Sequence, residues 1–196
     1  TAARLGHSAA IISGVGNDDF GKFLLETLRE NHVTPLAPEM TDDATTTMAF
    51  VSLNENNDRS FTFARKPGAD MLLDKREIKD EDLEDCRIVQ AGSCSLSAGP
   101  AVEATEYAMA RAKELSKLVG FDINYRNLMW KDDKDACTKK VLSILKYVDF
   151  LKLSDEEIDM VGGHDNLLNV MKEYDIAVVV LTLGGAGAEV FYDGKS

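Results

Sequence analysis

The feature that most constrains the fold is an alternation of apolar and amphipathic segments over residues 88–183. Apolar runs with the length of buried strands stand at 88–92, 118–121, 148–153 and 176–183. Segments with the helical spacing of apolar residues stand between them at 100–118, about 133–146, 154–161 and 166–174. This alternation specifies a parallel sheet with right-handed helical crossovers. We therefore expect an α/β fold, doubly wound and mostly parallel, with helices on both faces of the sheet.

The first 65 residues add a strand, a helix and a hairpin. A strand is predicted at 8–13 and a helix at 22–31. Period-two alternation at 45–53 and 59–65 predicts a β-hairpin around the polar turn residues 54–58. An isolated hairpin is marginally stable in water, so we expect it to pack on the main domain, on a ligand or on a second copy of itself.

The glycine-rich loop at 14–21 is similar to two phosphate-binding loops but matches neither. Its glycines and the lysine that follows fit G-x-x-x-x-G-K, but Phe23 stands where a hydroxyl should meet magnesium. Asp18 and Asp19 would place two negative charges in a cradle meant for phosphates. A dinucleotide fingerprint is excluded as well, since Asp19 occupies the position of its third glycine. Asp19 is instead the predicted N-cap of the helix.

Charge and cysteine content exclude several classes of partner. Lys and Arg number 22 and Asp and Glu 34, so the net charge is −12. Nucleic acids and anionic membranes are bound through clustered Lys and Arg, so we expect neither as a partner. The three cysteines are far apart and contain no C-x-x-C pair, which predicts free thiols and a cytoplasmic location. The three histidines are too scattered to indicate a zinc site or a catalytic triad.

Polar residues follow three successive apolar strands. They are Asp122, Asn124 and Arg126, then the stretch 152–157, then Thr182 with Gly184 and Gly187. The carboxyl ends of parallel strands meet at one edge of a sheet, so we expect these residues in one crevice. In an extended chain the first three side chains leave the same face, and together they suit a polyhydroxy ligand.

Each of these strand ends also has a purely structural interpretation. Asp122 and Asn124 could form Asx turns while Arg126 pairs with a surface acid, and the residues leave both interpretations open. Ser154 and Glu157 have the spacing of a capping box, although an acid beside a phosphate site could also order water around Mg2+. The glycines at 184–187 could let the backbone approach a nucleotide or simply form a tight turn.

Three stretches, in their order and spacing, resemble a known enzyme family. Residues 3–21, ARLGHSAAIISGVGNDDFG, contain the pattern G-x-D-x-F-G. Residues 59–70, RSFTFARKPGAD, begin with a predicted strand that ends at Arg65. Residues 121–130, FDINYRNLMW, contain D-x-N-x-R followed by leucine and tryptophan. The chain thereby resembles the ribokinase-like (PfkB) carbohydrate kinases over nearly all its length, most closely the fructokinase and 2-keto-3-deoxygluconate kinase branch.

The resemblance implies a ribokinase-like fold in which the hairpin at 45–65 is a lid, and it implies roles for particular residues. Arg65, Asn124 and Arg126 would lie near the sugar or the transferred phosphoryl group, with Arg126 catalytic. The implied nucleotide-binding residues are Ser154, Thr182, Gly184 and Gly187. The magnesium-associated N-x-x-E motif maps onto 154–157 with serine in place of asparagine, so Glu157 is the implied metal-associated residue.

The activity implied by the resemblance is ATP- and Mg2+-dependent transfer of the γ-phosphoryl group to a primary hydroxyl of a sugar. Residues 66–73, KPGADMLL, favour fructose as that sugar. The alternatives are a 2-keto-3-deoxygluconate or nucleoside kinase, and a sugar- or nucleotide-binding α/β module without catalysis.

The family pattern also extends past both ends of the chain. Its sugar-gripping glycine pair and asparagine would precede Thr1, and its G-A-G-D loop with the aspartate base would follow Ser196. We therefore expect residues 1–196 to form a single, incomplete domain without activity of its own. Phe61 and Phe63 on the hairpin indicate either dimerisation through the lid or contact with the substrate cleft.

Overall fold

The computed structural model describes residues 1–36, 40–53 and 59–195, which divide into two compact units. Unit 1 is Thr1–Ile78 with Gly99–Ala101, and unit 2 is Lys79–Ala98 with Val102–Ser196. The single domain predicted from the sequence stays a prediction. Among the described residues, no helix is long and apolar enough to cross a membrane.

Unit 1 contains a parallel strand pair, one helix and an antiparallel hairpin. Its strands and its helix are Ala9–Ile12 (β1), Asp19–Glu30 (α1), Val33–Leu36 (β2), Met48–Leu53 (β3) and Arg59–Ala64 (β4). β1 pairs with β2 in parallel, and β3 pairs with β4 in antiparallel register from Met48↔Ala64 to Leu53↔Arg59. The predicted hairpin is therefore confirmed, while its turn residues 54–58 lie outside the described part of the chain. Short 3-10 helices cover Ala3–Leu5, Ala69–Leu72 and Lys75–Glu77.

The N-cap of helix α1 lies one residue before the predicted N-cap, Asp19. The N-cap is Asp18, whose Oδ1 accepts the backbone N–H of Gly21 at 2.8 Å. The same carboxylate accepts the backbone N–H and the hydroxyl of Thr46, each at 2.8 Å. These hydrogen bonds, the one from the Thr46 backbone foremost, lower the pKa of Asp18. Asp18 therefore caps α1 and fastens the glycine-rich loop to the segment that leads into β3.

Unit 2 is a five-stranded sheet with its helices. The strands are Ile88–Gly92 (β5), Leu118–Asp122 (β6), Phe150–Ser154 (β7), Val178–Thr182 (β8) and Ala188–Tyr192 (β9). The helices are Asp80–Glu84 (α2), Ala101–Glu114 (α3), Lys134–Ile144 (α4) and Leu167–Tyr174 (α5). The strands lie in chain order, with β5 to β8 parallel and β9 antiparallel to β8. The predicted α/β fold with a mostly parallel sheet is confirmed.

The core of unit 2 forms because the central strands are apolar on the sides that the helices cover. Val119, Phe121, Leu151 and Leu153 are fully buried, together with residues of α4 such as Val141. Burial of this kind is worth about 25 cal/mol for each Å² of apolar surface removed from water. The core therefore fixes the strands and, with them, the positions at which their polar ends emerge.

One predicted helix is absent. Residues 154–161 form a turn followed by a 3-10 helix, Ile158–Val161, because the chain leaves β7 in a tight turn closed by a bond from Glu157 N to Ser154 O at 3.0 Å. The other 3-10 helices of unit 2 are Ser93–Leu96, Leu145–Tyr147, His164–Asn166 and Gly184–Ala186.

Candidate active site

The polar ends of β6, β7 and β8 lie side by side at one edge of the sheet. The parallel register pairs Asp122 with Lys152, and it pairs Ser154 with Thr182. Thr182 Oγ1 also donates to the carbonyl oxygen of Leu153 at 3.3 Å. The three strand ends predicted to share an edge therefore do share it.

A polar pocket of about 420 Å³ opens beside these strand ends. The residues that line it are Asn124, Tyr125, Arg126, Lys134, Lys152, Ser154, Glu156 and Glu157. A larger, mainly apolar groove of about 640 Å³ runs along α5, β8 and β9, and none of the predicted site residues lines it. The polar pocket is the candidate site because it joins carboxylates, amide and cations at the carboxyl edge of a parallel sheet.

The segment after β6 is not extended as the alternation of its side chains predicts. Asn124 has a φ of 41°, in the left-handed region that asparagine tolerates better than most residues. Asp122 is paired with Lys152, whose Nζ lies 3.1 Å from its carboxylate. Asn124 and Arg126 line the pocket, whereas Asp122 does not. The predicted common face of three side chains is therefore wrong beyond Asp122, because the backbone turns there.

Glu157 holds the turned segment to the end of β7. Its side chain is only 6% exposed, and its Oε1 accepts the backbone N–H of Tyr125 at 2.6 Å. Its Oε2 accepts the backbone N–H of Ser154 at 2.9 Å, which is the carboxylate half of a capping box. The other half is absent, since Glu157 N donates to the carbonyl oxygen of Ser154 and not to its hydroxyl.

Three cations surround the pocket, and they are restrained to different degrees. Lys152 is paired with Asp122, and Lys134 Nζ donates to the carbonyl oxygen of Glu156 at 3.0 Å. Arg126 is exposed, and among the described residues its guanidinium bonds only to the carbonyl oxygen of Tyr125, at 2.9 Å. A chain of net charge −12 thus gathers positive charge at this edge. Such a cluster suits an anionic ligand, and Arg126 is the cation most available to it.

The donor set for a metal ion is sparse. Within the described residues, no group of three or more His, Cys, Asp or Glu side chains could hold a metal. Both oxygens of Glu157 already accept a backbone N–H, so each has limited capacity left. A divalent ion would fit here only with most of its ligands supplied by phosphate oxygens and water, as is usual for Mg2+.

In unit 1, Arg65 is held by a carboxylate. Its Nε and Nη2 donate to Asp70 Oδ2 at 2.9 and 2.7 Å, and its side chain is 6% exposed. The hydroxyl of Thr47 donates to the other oxygen of Asp70. Gly68 lies so close to Thr47 and Asp70 that a Cβ there would overlap both side chains. The base of the hairpin is therefore a closely packed polar cluster.

A family model matches the whole chain. The model is that of the pfkB family carbohydrate kinases, and it matches residues 1–196. The chain belongs to this family. Fructokinase-1 of Oryza sativa subsp. japonica is 36% identical over 193 residues, which cover 96% of this chain and 59% of the rice protein. Fructokinase-1 of Zea mays is 35% identical over the same length, with the same coverage. The chain thus spans about 59% of the length of these pfkB relatives.

Solved structures of fructokinases share the fold. A fructokinase from Xylella fastidiosa has a TM-score of 0.90 at 27% identity, covering 98% of this chain and 60% of that one. The fructokinase from the same organism with bound ATP has a TM-score of 0.89 at 27% identity, covering 98% and 62%. The fructokinase of Vibrio cholerae O395 bound to fructose, ADP and calcium has a TM-score of 0.80 at 30% identity, covering 97% and 62%. The resemblance to the fructokinase branch is confirmed.

The structure of this pfkB-family chain brings together four of the predicted site residues. Asn124, Arg126, Ser154 and Glu157 line one pocket. Three others do not line it: Thr182 is the register partner of Ser154 on the neighbouring strand, and Gly184 and Gly187 follow Thr182 in the turn before β9. Arg65 belongs to unit 1. The roles of all these residues stay predictions.

Sequence reasoning missed Lys134, and it placed Lys152 at this edge only as part of the stretch 152–157, without a role of its own. Lys152 carries a signal in its position, since it stands two residues before Ser154 in β7 and so leaves the strand on the same face. Lys134 is the first residue of α4, and nothing in its neighbourhood along the chain indicates a pocket. Only the packing of α4 against the strand ends brings it there.

Proposed function

We propose that the whole protein to which this chain belongs transfers the γ-phosphoryl group of ATP to a primary hydroxyl of a sugar, with fructose as the favoured acceptor. The observation that carries the proposal is the pocket at the carboxyl edge of the sheet, in which Arg126, Lys134 and Lys152 face one space. Phosphoryl transfer needs little beyond positioned cations, a metal and an oriented hydroxyl. The fructokinases among its relatives support the choice of sugar.

Within this proposal the residues predicted from the sequence have distinct tasks. Arg126 offsets the charge that builds on the transferred phosphoryl group, and Asn124 binds the sugar or that group through its amide. Ser154, Thr182, Gly184 and Gly187 border the nucleotide. Both glycines have positive φ and open space where a Cβ would stand, so the backbone there leaves room for a ligand.

The hairpin and the metal complete the proposal. Arg65 approaches the sugar with the lid, whose closure excludes water from the transfer step. When bound with the nucleotide, Mg2+ would supply neutralisation of phosphate charge, and Glu157 is the residue of this chain that would order its waters. The three cysteines are free in the structure, which supports a cytoplasmic location.

The test is an assay of ATP-dependent phosphorylation by the full-length protein. We expect turnover with fructose exceeding that with ribose, 2-keto-3-deoxygluconate and nucleosides. Preference for one of the last two would assign the chain to the alternative kinases, and turnover of none would overturn the proposed activity. Binding of ATP and sugar without turnover would indicate a binding module.

We also propose that the hairpin mediates a homodimer. Val51 and Phe61 are paired across β3 and β4, so they share a face, and they are 55% and 41% exposed. Leu53 on the same face is 62% exposed. A two-stranded sheet that exposes this much apolar surface is stabilised by pairing with a second copy.

A further inference from the structure

The carboxylate of Glu157 is nearly inaccessible to solvent, and both of its oxygens accept hydrogen bonds from the backbone. The side chain is 6% exposed, and its two oxygens accept the N–H groups of Tyr125 and Ser154 at 2.6 and 2.9 Å. A buried charge is costly unless hydrogen bonds replace the lost water. Here both replacements come from the main chain, one from each of two neighbouring strand ends. Glu157 is therefore a tether between the loop after β6 and the last residue of β7.

The loop fixed by this tether carries two of the residues that line the pocket, Asn124 and Arg126. Tyr125 stands between Asn124 and Arg126, and its N–H is bound by Glu157 while its carbonyl oxygen accepts from Arg126 at 2.9 Å. Asn124 is in the left-handed region, a conformation that costs energy outside glycine and needs support from its surroundings. The carbonyl oxygen of Asn124 receives some of that support from Ser93 Oγ at 3.4 Å.

We propose that Glu157 is a positioning residue, which sets the 124–126 loop so that Arg126 faces a bound phosphate. The inference rests on the proposed function for the phosphate, but the tether itself is independent of any ligand. It differs from the metal-associated role that the family resemblance implies for Glu157. If Glu157 positions the loop, it affects the affinity for an anion with or without a metal ion. If Glu157 orders metal-bound water, it affects that affinity only when the metal ion is present.

The chain offers a matched control in Glu156. It lines the same pocket and is exposed, and among the described residues its carboxylate makes no hydrogen bond, since only its backbone N–H and carbonyl are engaged. Glu156→Gln and Glu157→Gln therefore remove the same charge from the same pocket. Only Glu157→Gln exchanges an acceptor of the tether for an amide group.

The experiment measures calorimetric binding of inorganic tripolyphosphate in EDTA, and of MgATP, to the chain and its variants. We expect Glu157→Gln to weaken both probes about tenfold, the loss that follows from a charged hydrogen bond. Glu156→Gln should raise both affinities slightly, because it removes a negative charge that repels the anion from the pocket. In an Arg126→Gln background, Glu157→Gln should have no further effect, because its action passes through Arg126. The positioning role would be overturned if Glu157→Gln weakened the binding of MgATP alone. It would also be overturned if Glu157→Gln still weakened binding in the Arg126→Gln background.

Amide hydrogen exchange tests the tether without a ligand. We expect the Tyr125 amide to be protected in the wild-type chain, and to exchange faster in Glu157→Gln while the amides inside β6 and β7 keep their rates. Free exchange of the Tyr125 amide in the wild type would overturn the tether, even if no variant folded. A wild-type chain that bound neither probe would overturn the proposed phosphate pocket, whereas binding with identical effects of the two glutamine variants would overturn positioning alone.

Discussion

Two arginines that the family resemblance groups together differ in their surroundings. The Arg126 guanidinium is exposed and bonds to a backbone oxygen, whereas the Arg65 side chain is 6% exposed and bonds twice to one oxygen of Asp70. A buried guanidinium depends on its carboxylate, because removing one partner leaves the other charge uncompensated. Substitutions at the two sites should therefore separate function from stability.

Arg126→Gln should impair function while leaving stability intact. An exposed side chain without an ion pair contributes little to folding, so we expect a free energy of unfolding within about 0.5 kcal/mol of the wild type. Loss of a charge that acts on the transferred group should lower kcat of the full-length protein by about 100- to 1,000-fold. Arg76→Gln, at another exposed arginine, is the control. Equal kcat values in the two variants would show that Arg126 takes no part in the reaction.

Asp70→Asn should destabilise unit 1. The change leaves the Arg65 guanidinium without its carboxylate and weakens the bond from Thr47, so we expect a loss of about 1–3 kcal/mol in the free energy of unfolding. Asp43→Asn is the control, since Asp43 is exposed and its carboxylate makes no hydrogen bond within the described residues. Urea denaturation gives both values, and similar losses for the two variants would contradict the assigned role of Asp70.

Residue roles were only partly predictable from the sequence. Asn124 and Arg126 follow an apolar strand, so the general rule for parallel sheets was sufficient to place them at the pocket. The tether by Glu157 was not predictable, because its partner Tyr125 lies 32 positions away along the chain. Spacing along the sequence encodes local partners, whereas a bond between two strand ends depends on the register of the sheet.

The glycine-rich loop and α1 form an element in which packing outweighs helix propensity. Gly21 lies in the first turn of α1, and a Cβ there would overlap the carbonyl oxygen of Gly16 and crowd Thr46 Oγ1. Alanine is favoured over glycine inside helices by about 1 kcal/mol, so propensity alone predicts stabilisation. Steric overlap with backbone, which cannot rotate away, predicts the opposite.

We expect Gly21→Ala to lower the free energy of unfolding by about 1–3 kcal/mol, the usual cost of overpacking. Gly185→Ala is the control, because a Cβ at Gly185 has no neighbour within 4 Å and its φ is not in the left-handed region. Chemical denaturation of both variants checks the prediction. Stabilisation by Gly21→Ala would mean that propensity dominates and that the loop adjusts.

The contact between His164 and β9 should make the stability of unit 2 depend on pH. His164 Nε2 lies 2.8 Å from Glu189 Oε2, its Nδ1 lies 3.8 Å from Asp165, and its ring stacks edge-on with Phe191. The hydrogen bond to Glu189 is the main cause that raises the pKa of His164 above its usual 6.5. A raised pKa means that the folded state binds the proton more tightly than the unfolded state.

The stabilisation by His164 should be complete below pH 6.5, its usual pKa, and should disappear as the pH rises through the raised value. We expect the melting temperature of the wild type to fall over this range by more than that of His164→Asn. Glu189→Gln should flatten the profile in the same way, because it removes the charge that attracts the proton. Parallel pH profiles of all three chains would contradict this assignment.

The type of each element was predicted well where the prediction rested on a long apolar run. It was predicted poorly where the prediction rested on a short polar segment. The strands β5 to β8 were predicted, since each is an apolar run bounded by polar residues. The helix at 154–161 was wrong, because Ser-x-x-Glu spacing fits both an α-helical start and the tight turn that the structure has. The backbone turn at Asn124 was missed because alternation assumes an extended chain.

At the scale of the whole molecule, the three cations that line the pocket contrast with the net charge of −12. The composition predicts no nucleic acid partner but says nothing of a local cluster, which arises because β6, β7 and α4 bring Arg126, Lys152 and Lys134 together. At physiological salt, charges interact over about 8 Å, so a ligand in the pocket responds to these cations, and to Glu156 and Glu157 beside them, more than to the distant acids. Local charge is thus the better guide to the ligand.

Self-association is the last whole-molecule property that the structure lets us predict. Val51 and Phe61 are apolar, exposed and adjacent on one face of the hairpin, so a lysine at either position would place charge in a shared apolar interface. We expect sedimentation velocity to detect a dimer whose dissociation constant rises at least about tenfold in Val51→Lys and Phe61→Lys, because burying an unpaired charge is unfavourable. Leu5→Lys, at an apolar residue of unit 1 that is 72% exposed and outside the hairpin, should leave the dissociation constant unchanged. A wild-type chain that sediments as a monomer at every concentration, or a Leu5 variant that dissociates equally well, would rule out a dimer through this face.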